Sequence, residues 1–442
     1  MRVVPRSRRA AFVLGALLAY LTVAGAAAAW WVLVARADEQ VDQGAALPFS
    51  DSVASVATTE EPAATTAEVE APGSTGAAPE PAPAAAWPVW GFDLAHTRHN
   101  PEARQRPPFR PVWRARLRKL VEFPPVVDDE GIYVQVADGR VVSIDRETGK
   151  TIWTRKLEAP MASSPAIDER SLYVSSLGGR VHGLRRSDGA SRWALRVGGR
   201  TESSPLLADG LLYVGAELEG KRGALFALEP ATGRVRWKAE VSGAVKASPA
   251  YADGRLYVGD YDGWIHAFDA RTGRRIWRTE GLHRHGGLTR SEFYATPTVA
   301  YGRVYVGATD FRMYSLVAAT GEIAWTARTD KWVYGGTAVV DRTVYFGSYD
   351  GRVYALDART GDERWRFETR SRVSGSPTVV NGVVYLSTLG KGTFGLDART
   401  GKPVWRFGDG QYSPVVATRD LFLLTGTGSV YRMVEEGAEA AG

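Results

Sequence analysis

The chain of 442 residues contains no cysteine. This absence excludes structural disulfides, thiolate metal sites and a lipid-modified N-terminal cysteine. Asparagine is also scarce, occurring only at Asn100 and Asn381. The lack of cysteine does not identify a compartment, because a cysteine-free protein tolerates oxidising surroundings equally well.

Basic residues are absent from positions 38–86, which contain nine acidic residues amid alanine, proline and threonine. Such a composition cannot bury enough apolar surface to fold, so we predict a disordered linker over residues 36–86. Residues 87–442 carry a net charge of +10, spread over isolated arginines. This spread is typical of a solvated surface, with contact to anionic glycans or lipid headgroups as the alternative. Nothing resembles a nucleic-acid-binding module.

Residues 10–35 form a long uncharged, mostly apolar run. As a helix it would reach about 39 Å, enough to cross a bilayer with some tilt. Several arginines in residues 1–9 precede it, whereas Asp38 and Glu39 follow it closely. This asymmetry predicts a cytoplasmic N-terminus, a single-pass membrane helix and an extracytoplasmic remainder.

A cleaved signal peptide is the alternative interpretation of this run, because Ala24–Ala28 (AGAAA) contains small-residue cleavage patterns. The apolar run is longer than an ordinary signal core. We therefore favour an uncleaved signal-anchor helix.

A motif ending in tryptophan recurs along the rest of the chain, as in Ala355–Trp365 (ALDARTGDERW). The steps between successive motif tryptophans are 40, 44, 40, 48, 40 and 40 residues, which indicates a repeat architecture. Each repeat has four runs rich in Val, Tyr and Phe, separated by turn signals such as Asp-Gly and Thr-Gly. These runs predict four strands joined by hairpins, which is the blade of a β-propeller.

The motif residues have structural roles in this prediction. The tryptophan begins the outermost strand, where its ring can wedge between blades and cover the next Thr-Gly turn. The aspartates Asp145, Asp269, Asp357 and Asp397 can cap their turns by accepting backbone N–H bonds. The predicted docking residues are Trp113, Trp153, Trp193, Trp237, Trp277, Trp325, Trp365 and Trp405.

Counting these units gives an all-β, eight-bladed β-propeller over residues 87–436, followed by a tail at 437–442. The last unit, Ser413–Met433, has three strands and no tryptophan. The missing strand is available at Pro111–Leu117, so we predict that this N-terminal strand closes the ring.

Residues 87–110 contain Trp87, Trp90 and Phe92 and should lie against the propeller. We interpret His96, Arg98 and His99 in this segment as surface and packing residues.

The repeats resemble the PQQ-repeat, or quinoprotein-type, β-propeller family, whose blades carry an Ala-x-Asp-x-x-Thr-Gly-x-x-x-Trp motif. Ala267–Trp277 and Ala355–Trp365 match it fully, and Gly183–Trp193 departs most. The resemblance implies either a BamB-like scaffold of the cell envelope or a quinone-dependent dehydrogenase. The family's dehydrogenases place a vicinal disulfide, a calcium site and a catalytic aspartate at the cofactor. This cysteine-free chain lacks that pattern, so we predict no catalytic residues, no cofactor and no metal site.

A Ser-Pro-like signal begins each innermost strand, at Pro125, Pro165, Pro205, Pro249, Pro297, Ala338, Pro377 and Pro414. Residues three positions earlier should form a ring at one mouth of the central channel. This ring comprises Glu122, Ala162, Glu202, Lys246, Tyr294, Gly335, Ser374 and Gln411, with Arg200, Trp332 and Arg372 nearby. The residue types of this ring differ from blade to blade, whereas the positions that build the blades repeat the same types. We therefore predict a ligand- or partner-binding surface here.

A second candidate is the insertion before Trp325, which carries His283, Arg284, His285 and Arg290. The His-x-His pair has no carboxylate or third histidine nearby in sequence, so we interpret this segment as a partner-contacting loop.

These features predict a monomeric, membrane-anchored, extracytoplasmic propeller that binds a protein or peptide partner without catalysis. A small-molecule or glycan sensor using the channel mouth is the alternative, and a PQQ-dependent dehydrogenase is the third.

Overall fold

The computed structural model describes residues 86–282, 291–390, 392–412 and 415–437. Eight antiparallel sheets of four strands are found within these residues. We number the resulting blades one to eight in chain order and name their strands inner, second, third and outer. The eight-bladed all-β prediction is therefore confirmed. The predicted membrane helix and most of the predicted linker lie outside the described residues, and none of the described helices is long and apolar enough to cross a membrane.

The strand bounds follow one pattern in every blade. The inner strands are Val126–Val127, Ala166–Ile167, Leu206–Ala208, Ala250–Ala252, Thr298–Ala300, Ala338–Val340, Thr378–Val380 and Val415–Ala417. The second strands are Ile132–Val136, Ser171–Ser176, Leu211–Glu217, Arg255–Gly259, Arg303–Gly307, Thr343–Gly347, Val383–Thr388 and Phe422–Thr425. The insertion in blade three contains a short 3₁₀ turn, Glu219–Lys221.

The third and outer strands carry the docking motif between them. The third strands are Arg140–Ile144, Arg180–Arg185, Gly223–Leu228, Trp264–Asp269, Arg312–Val317, Arg352–Asp357, Gly392–Asp397 and Ser429–Glu435. The outer strands are Thr151–Lys156, Ser191–Arg196, Val235–Val241, Arg275–Glu280, Ile323–Arg328, Glu363–Glu368, Pro403–Phe407 and, for blade eight, Phe109–Arg116.

The ring closes as predicted, because Phe109–Arg116 pairs antiparallel with the third strand of blade eight. Inner strands of neighbouring blades approach one another along the axis. The buried side chains form a separate apolar cluster at each blade interface in the described chain. The core therefore lies between blades, which is why each repeat needs its neighbours to bury its faces.

Seven of the eight predicted docking tryptophans join one blade to the next through an indole N–H bond. The exception is Trp405, because blade eight takes its outer strand from the N-terminus and has no connecting turn to receive it. Trp325 is 1 % exposed, and its indole Nε1 donates to the Ala358 carbonyl of blade six at 3.1 Å. Its ring covers Gly361, where an added Cβ would lie 2.8 Å from the indole, and Gly361 has a φ of +82°. Equivalent indole-to-carbonyl bonds are made by Trp113, Trp153, Trp193, Trp237, Trp277 and Trp365.

The turn aspartates also act as predicted. Asp269 Oδ1 accepts bonds from the backbone N–H and the hydroxyl of Thr272, at 2.8 and 2.6 Å. These bonds, those to the hydroxyl first, hold the pKa of Asp269 below its ordinary value. Asp145 and Asp397 make the same pair of bonds to Thr148 and Thr400. The motif therefore fixes its own turn, and the tryptophan of the preceding blade packs on that turn.

The Ser-Pro signal has a physical reason as well. At four of the prolines, Pro205, Pro249, Pro297 and Pro377, the hydroxyl of the preceding residue accepts a bond from a backbone N–H of the preceding blade. These bonds run from Ser164 to Ser204, Ser204 to Ser248, Ser248 to Thr296 and Gly336 to Ser376. They tie neighbouring blades together around the channel wall.

The segment 86–100 fills the central channel. The sequence predicted that it lies against the propeller, but not that it enters the channel. Trp87 exchanges backbone bonds with Val127 at 2.7 and 3.0 Å, and the following residues bond to successive inner strands around the axis. His96 and Arg98 are 1 % and 0 % exposed, so they are packing residues of the channel and not surface residues. Burial lowers the pKa of Arg98 to about 9.

We expect Trp325→Ala to lower the free energy of unfolding by about 3–5 kcal/mol, because it opens a cavity at a blade interface. Urea unfolding of the full-length protein in detergent measures this change. Trp332→Ala is the matched control, since Trp332 is 43 % exposed and its loss should cost no more than about 1 kcal/mol. Equal losses in the two variants would contradict the docking role.

Candidate functional site at the channel mouth

The mouth is the face at which the inner strands begin. The register of the blades corrects one predicted member of its ring. The inner strand of blade six starts at Ala338, whereas its equivalents start one residue after the proline. The true counterpart of the proline is Thr337, so the ring residue of blade six is Tyr334 and not Gly335. The error arose because blade six replaces Ser-Pro with Gly-Thr.

Tyrosines from neighbouring blades stack at this mouth. The rings of Tyr294 and Tyr334 are stacked with centroids 4.1 Å apart. Tyr334 also stacks on Tyr349 at 5.4 Å, and Tyr261 meets Tyr294 edge-on at 6.0 Å. Trp332 adjoins Tyr334 and Tyr349 at 6.2 and 5.8 Å. The rings form one continuous aromatic surface across blades four to six, which we call the tyrosine platform.

Glu202 links this platform to the charged side of the mouth. Its carboxylate accepts a bond from the Tyr294 hydroxyl at 2.9 Å and one from Arg200 Nε at 2.7 Å. Lys246 Nζ lies 3.5 Å from Glu202 and 4.5 Å from the centroid of the Tyr261 ring. Two cations therefore neutralise Glu202.

A central pocket of about 150 Å³ opens between the tyrosine platform and blade one. Trp90 of the channel segment lines it, and an added Cβ on Gly336 would lie 2.7 Å from the Trp90 ring. Its other aromatic lining residues are Phe123, Tyr294, Tyr334, Tyr349 and Tyr412. Because the channel segment occupies the axis behind it, the pocket is a closed recess and not a passage.

Glu122 is the charged residue of the pocket lining. Burial raises its pKa, and repulsion from Glu202 raises it further. Within the described residues, no hydrogen bond or ion pair to its carboxylate is found. The Glu202 carboxylate is therefore paired with cations, whereas the Glu122 carboxylate has no cation partner among the described residues.

Wider recesses flank the central pocket. One of about 460 Å³ is lined by Lys246, Tyr261 and Glu292, and another of about 470 Å³ is lined by Tyr349 and Arg372. The Arg372 guanidinium lies 6.0 Å from the centroid of the Tyr349 ring. The mouth is therefore acidic toward blade one, where Glu122 has no cation partner among the described residues, and basic toward blade seven.

The structure brings together most of the predicted mouth residues. Glu122 and Tyr294 line the central pocket, Glu202 and Lys246 lie beside it, and Trp332 and Arg372 adjoin the platform. Gln411 is half-buried and precedes Tyr412 of the lining. The partner-loop candidates His283, Arg284, His285 and Arg290 lie outside the described residues.

Sequence reasoning missed Tyr261, Tyr334, Tyr349 and Tyr412. A signal for two of them was present. Tyr261 and Tyr349 each precede an Asp-Gly hairpin tip, where a polar residue is usual.

Comparison with known proteins gives a family and a fold. The family described as outer membrane protein assembly factor BamB matches residues 110–204, 137–222, 205–289 and 328–433. No curated protein matches the chain. BamB from Moraxella catarrhalis is 18 % identical with a TM-score of 0.63, covering 76 % of this chain and 100 % of that one.

Dehydrogenases share the fold as well. The quinohemoprotein alcohol dehydrogenase from Comamonas testosteroni is 15 % identical with a TM-score of 0.68, covering 82 % of each chain. A europium-containing methanol dehydrogenase is 13 % identical with a TM-score of 0.67, covering 80 % of this chain and 98 % of that one. At these identities the likeness shows the fold alone.

The central pocket does not fit the quinone cofactor that such a fold implies. That cofactor is a tricarboxylate, and it needs cationic or metal partners for its charge. The described lining offers no lysine, arginine or histidine and contributes the carboxylate of Glu122. Nor do three or more His, Cys, Asp or Glu side chains cluster as metal ligands anywhere in the described chain.

We expect Glu122→Gln to raise the melting temperature at about pH 8, well above ordinary carboxyl pKa values. Because the folded-state pKa of Glu122 is raised, its ionised form destabilises the fold above that pKa. The penalty disappears as the pH falls through the folded pKa, so the two melting curves should converge in acid. Thermal unfolding across pH measures this.

Glu169→Gln is the control for this variant, since Glu169 is exposed on the opposite face. It should leave the melting temperature unchanged. A Glu122→Gln protein that is no more stable than the wild type at about pH 8 would show that Glu122 is already compensated.

Proposed function

Because the chain belongs to the PQQ-repeat β-propeller family described as outer membrane protein assembly factor BamB, we propose that it is a non-catalytic binding platform of the cell envelope. In this proposal the tyrosine platform and the central pocket receive a segment of a protein or peptide partner. The blades form a rigid frame, and the mouth provides the contact chemistry.

The observation that carries this proposal is the exposed aromatic surface at the mouth. Trp332 is 43 % exposed although it adjoins the rings of Tyr334 and Tyr349. Tyrosine, tryptophan and arginine are the residues that dominate binding energy at protein interfaces. The motif tryptophans join the blades at their outer strands, whereas these stacked rings lie at the mouth.

We propose further that residues 10–35 anchor the chain in a membrane and that the propeller lies outside the cytoplasm as a monomer. The basic residues before this apolar run and the acidic ones after it support this orientation. The absence of cysteine rules out anchoring through a lipidated N-terminal cysteine. A linker of about 50 residues between helix and propeller gives a reach of roughly 40 Å, if it is a flexible coil.

A small-molecule receptor is a second candidate function, and the closed central pocket favours it. The pocket of about 150 Å³ is too small for a folded element but large enough for one side chain or a small ligand. Both candidate functions use the same residues of the mouth. They differ in the ligand, which is a segment of a protein or peptide partner in one case and a free small molecule in the other.

Site-specific photo-crosslinking in intact cells tests the platform. A photoreactive phenylalanine analogue replaces either Trp332 or Tyr349 in the full-length chain. We expect both positions to give the same discrete adducts, because their rings lie within one surface. The same analogue at Ile152, which is 52 % exposed on an outer strand, is the control. Adducts from Ile152 alone would contradict the proposal.

Thermal unfolding with added quinone cofactor and calcium tests the non-catalytic assignment. We expect no rise in melting temperature, because the pocket lining lacks cationic side chains. A cofactor present at 100 times its dissociation constant would add about 2.7 kcal/mol, which is readily measured. A rise of that size would favour a dehydrogenase.

A further inference from the structure

We propose that the central pocket binds an organic cation, an alkylated ammonium or a guanidinium group, held between its tyrosine rings and the Glu122 carboxylate. This inference rests on the proposed function, in which the mouth is the binding face. It adds the chemical class of the group that the mouth recognises.

The pocket has the shape and surface that an organic cation needs. Its volume of about 150 Å³ equals that of a cavity able to hold benzene, and a trimethylammonium group has fewer heavy atoms. Tyr294, Tyr334, Tyr349 and Tyr412 supply aromatic rings from blades five, six and eight. The electron-rich faces of such rings attract cations within about 6 Å, most strongly where water is excluded.

The mouth already places its own cations on tyrosine faces. Lys246 Nζ lies 4.5 Å from the Tyr261 centroid, and Arg372 lies 6.0 Å from that of Tyr349. Both cations sit in the flanking recesses, and neither lines the central pocket. The central pocket therefore repeats the same ring chemistry without a cation of its own among the described residues.

Glu122 gives the pocket its charge preference. Its carboxylate is partly buried, has no cation partner among the described residues and feels the negative charge of Glu202. Glu202 itself is paired with Arg200 and Lys246, so these cations do not neutralise Glu122. A bound cation would remove the cost of burying this charge.

Arg98 acts against this preference from behind the pocket. Its guanidinium lies 4.8 Å from the Trp90 centroid and is held by Pro377 O and Thr378 Oγ1. One face of the Trp90 ring is therefore already occupied by a cation. Recognition consequently depends on the tyrosines and Glu122, and the variants below target those residues.

The test is a titration of the full-length chain in detergent with tetramethylammonium chloride, followed by intrinsic fluorescence. Sodium chloride at equal ionic strength is the ionic control. We expect the wild type to bind tetramethylammonium saturably and to give no such response to sodium. Glu122→Gln should weaken it about tenfold, as expected for loss of a charged partner. Glu169→Gln, a carboxylate on the opposite face, should bind as the wild type does.

Paired substitutions at Tyr334 separate ring chemistry from folding. Tyr334→Phe keeps the ring and should retain binding, whereas Tyr334→Leu removes it and should weaken binding by several-fold or more. Both variants should melt as one cooperative unit, because Tyr334 is not a blade-docking residue. Equal binding by the two variants, or identical responses to tetramethylammonium and sodium, would overturn the proposal.

Competition distinguishes the sources of the cation. If a partner's lysine or arginine side chain fills the pocket, tetramethylammonium should abolish the photo-crosslinks from Tyr349. If a free small cation is the ligand, tetramethylammonium binds while the crosslinks persist. Crosslinks with no cation binding would leave the platform proposal standing and reject this inference. Cation binding with no crosslinks would support the cation site and reject the protein-binding platform.

Discussion

The propeller depends on one repeated contact, in which an indole N–H from one blade reaches a turn carbonyl of the next. At the junction of blades five and six, the Ala358 carbonyl accepts from Trp325 Nε1 at 3.1 Å and from the Tyr305 hydroxyl at 3.0 Å. The ring covers the turn glycine, which must lack a Cβ for the indole to lie there. Junction and turn are thus specified together, and this explains why all seven complete repeats keep both the turn glycine and the final tryptophan.

The contact is absent from the junction where the ring closes. Blade eight takes its outer strand from the N-terminus, so it has no Thr-Gly turn to receive Trp405 and Tyr385. Phe109 occupies that place, with its ring 4.4 Å from Phe422 and 5.5 Å from Trp405. The buried Tyr385 hydroxyl consequently has no hydrogen-bond partner among the described residues. Closure replaces a hydrogen-bonded junction with an apolar one.

Residues at the mouth do not form this indole-to-carbonyl contact, and the residue type at the same position differs from blade to blade. The same position is occupied by Glu122, Glu202, Lys246 and Tyr294 in different blades. Burial and then the charge of Glu202 raise the pKa of Glu122, and no cation among the described residues pairs with its carboxylate. Residues that lower the stability of an otherwise regular repeat structure are expected at functional sites, because the rest of the fold remains stable enough to tolerate them.

The sequence was sufficient for the blades and insufficient for the mouth, for a physical reason. Trp325, Gly361 and Asp269 act through neighbours at fixed offsets in the repeat, so their roles follow from spacing. The offset from Pro125 placed Glu122 at the mouth, but the residues that Glu122 and Tyr334 face lie on other blades, and no local pattern identifies them. The sequence predicted that the channel segment lies against the propeller but not that it enters the channel, since Trp87 and Arg98 belong to no repeat and bond to blades one and seven.

The most direct test of the account is amide hydrogen exchange of the full-length chain with tetramethylammonium and with sodium at equal ionic strength. A rigid ring with its binding chemistry at the mouth predicts slower exchange in residues 121–124, 293–296 and 333–336, with the outer strands unchanged. Unchanged exchange at these segments, or protection confined to the outer strands, would contradict a binding site at the channel mouth.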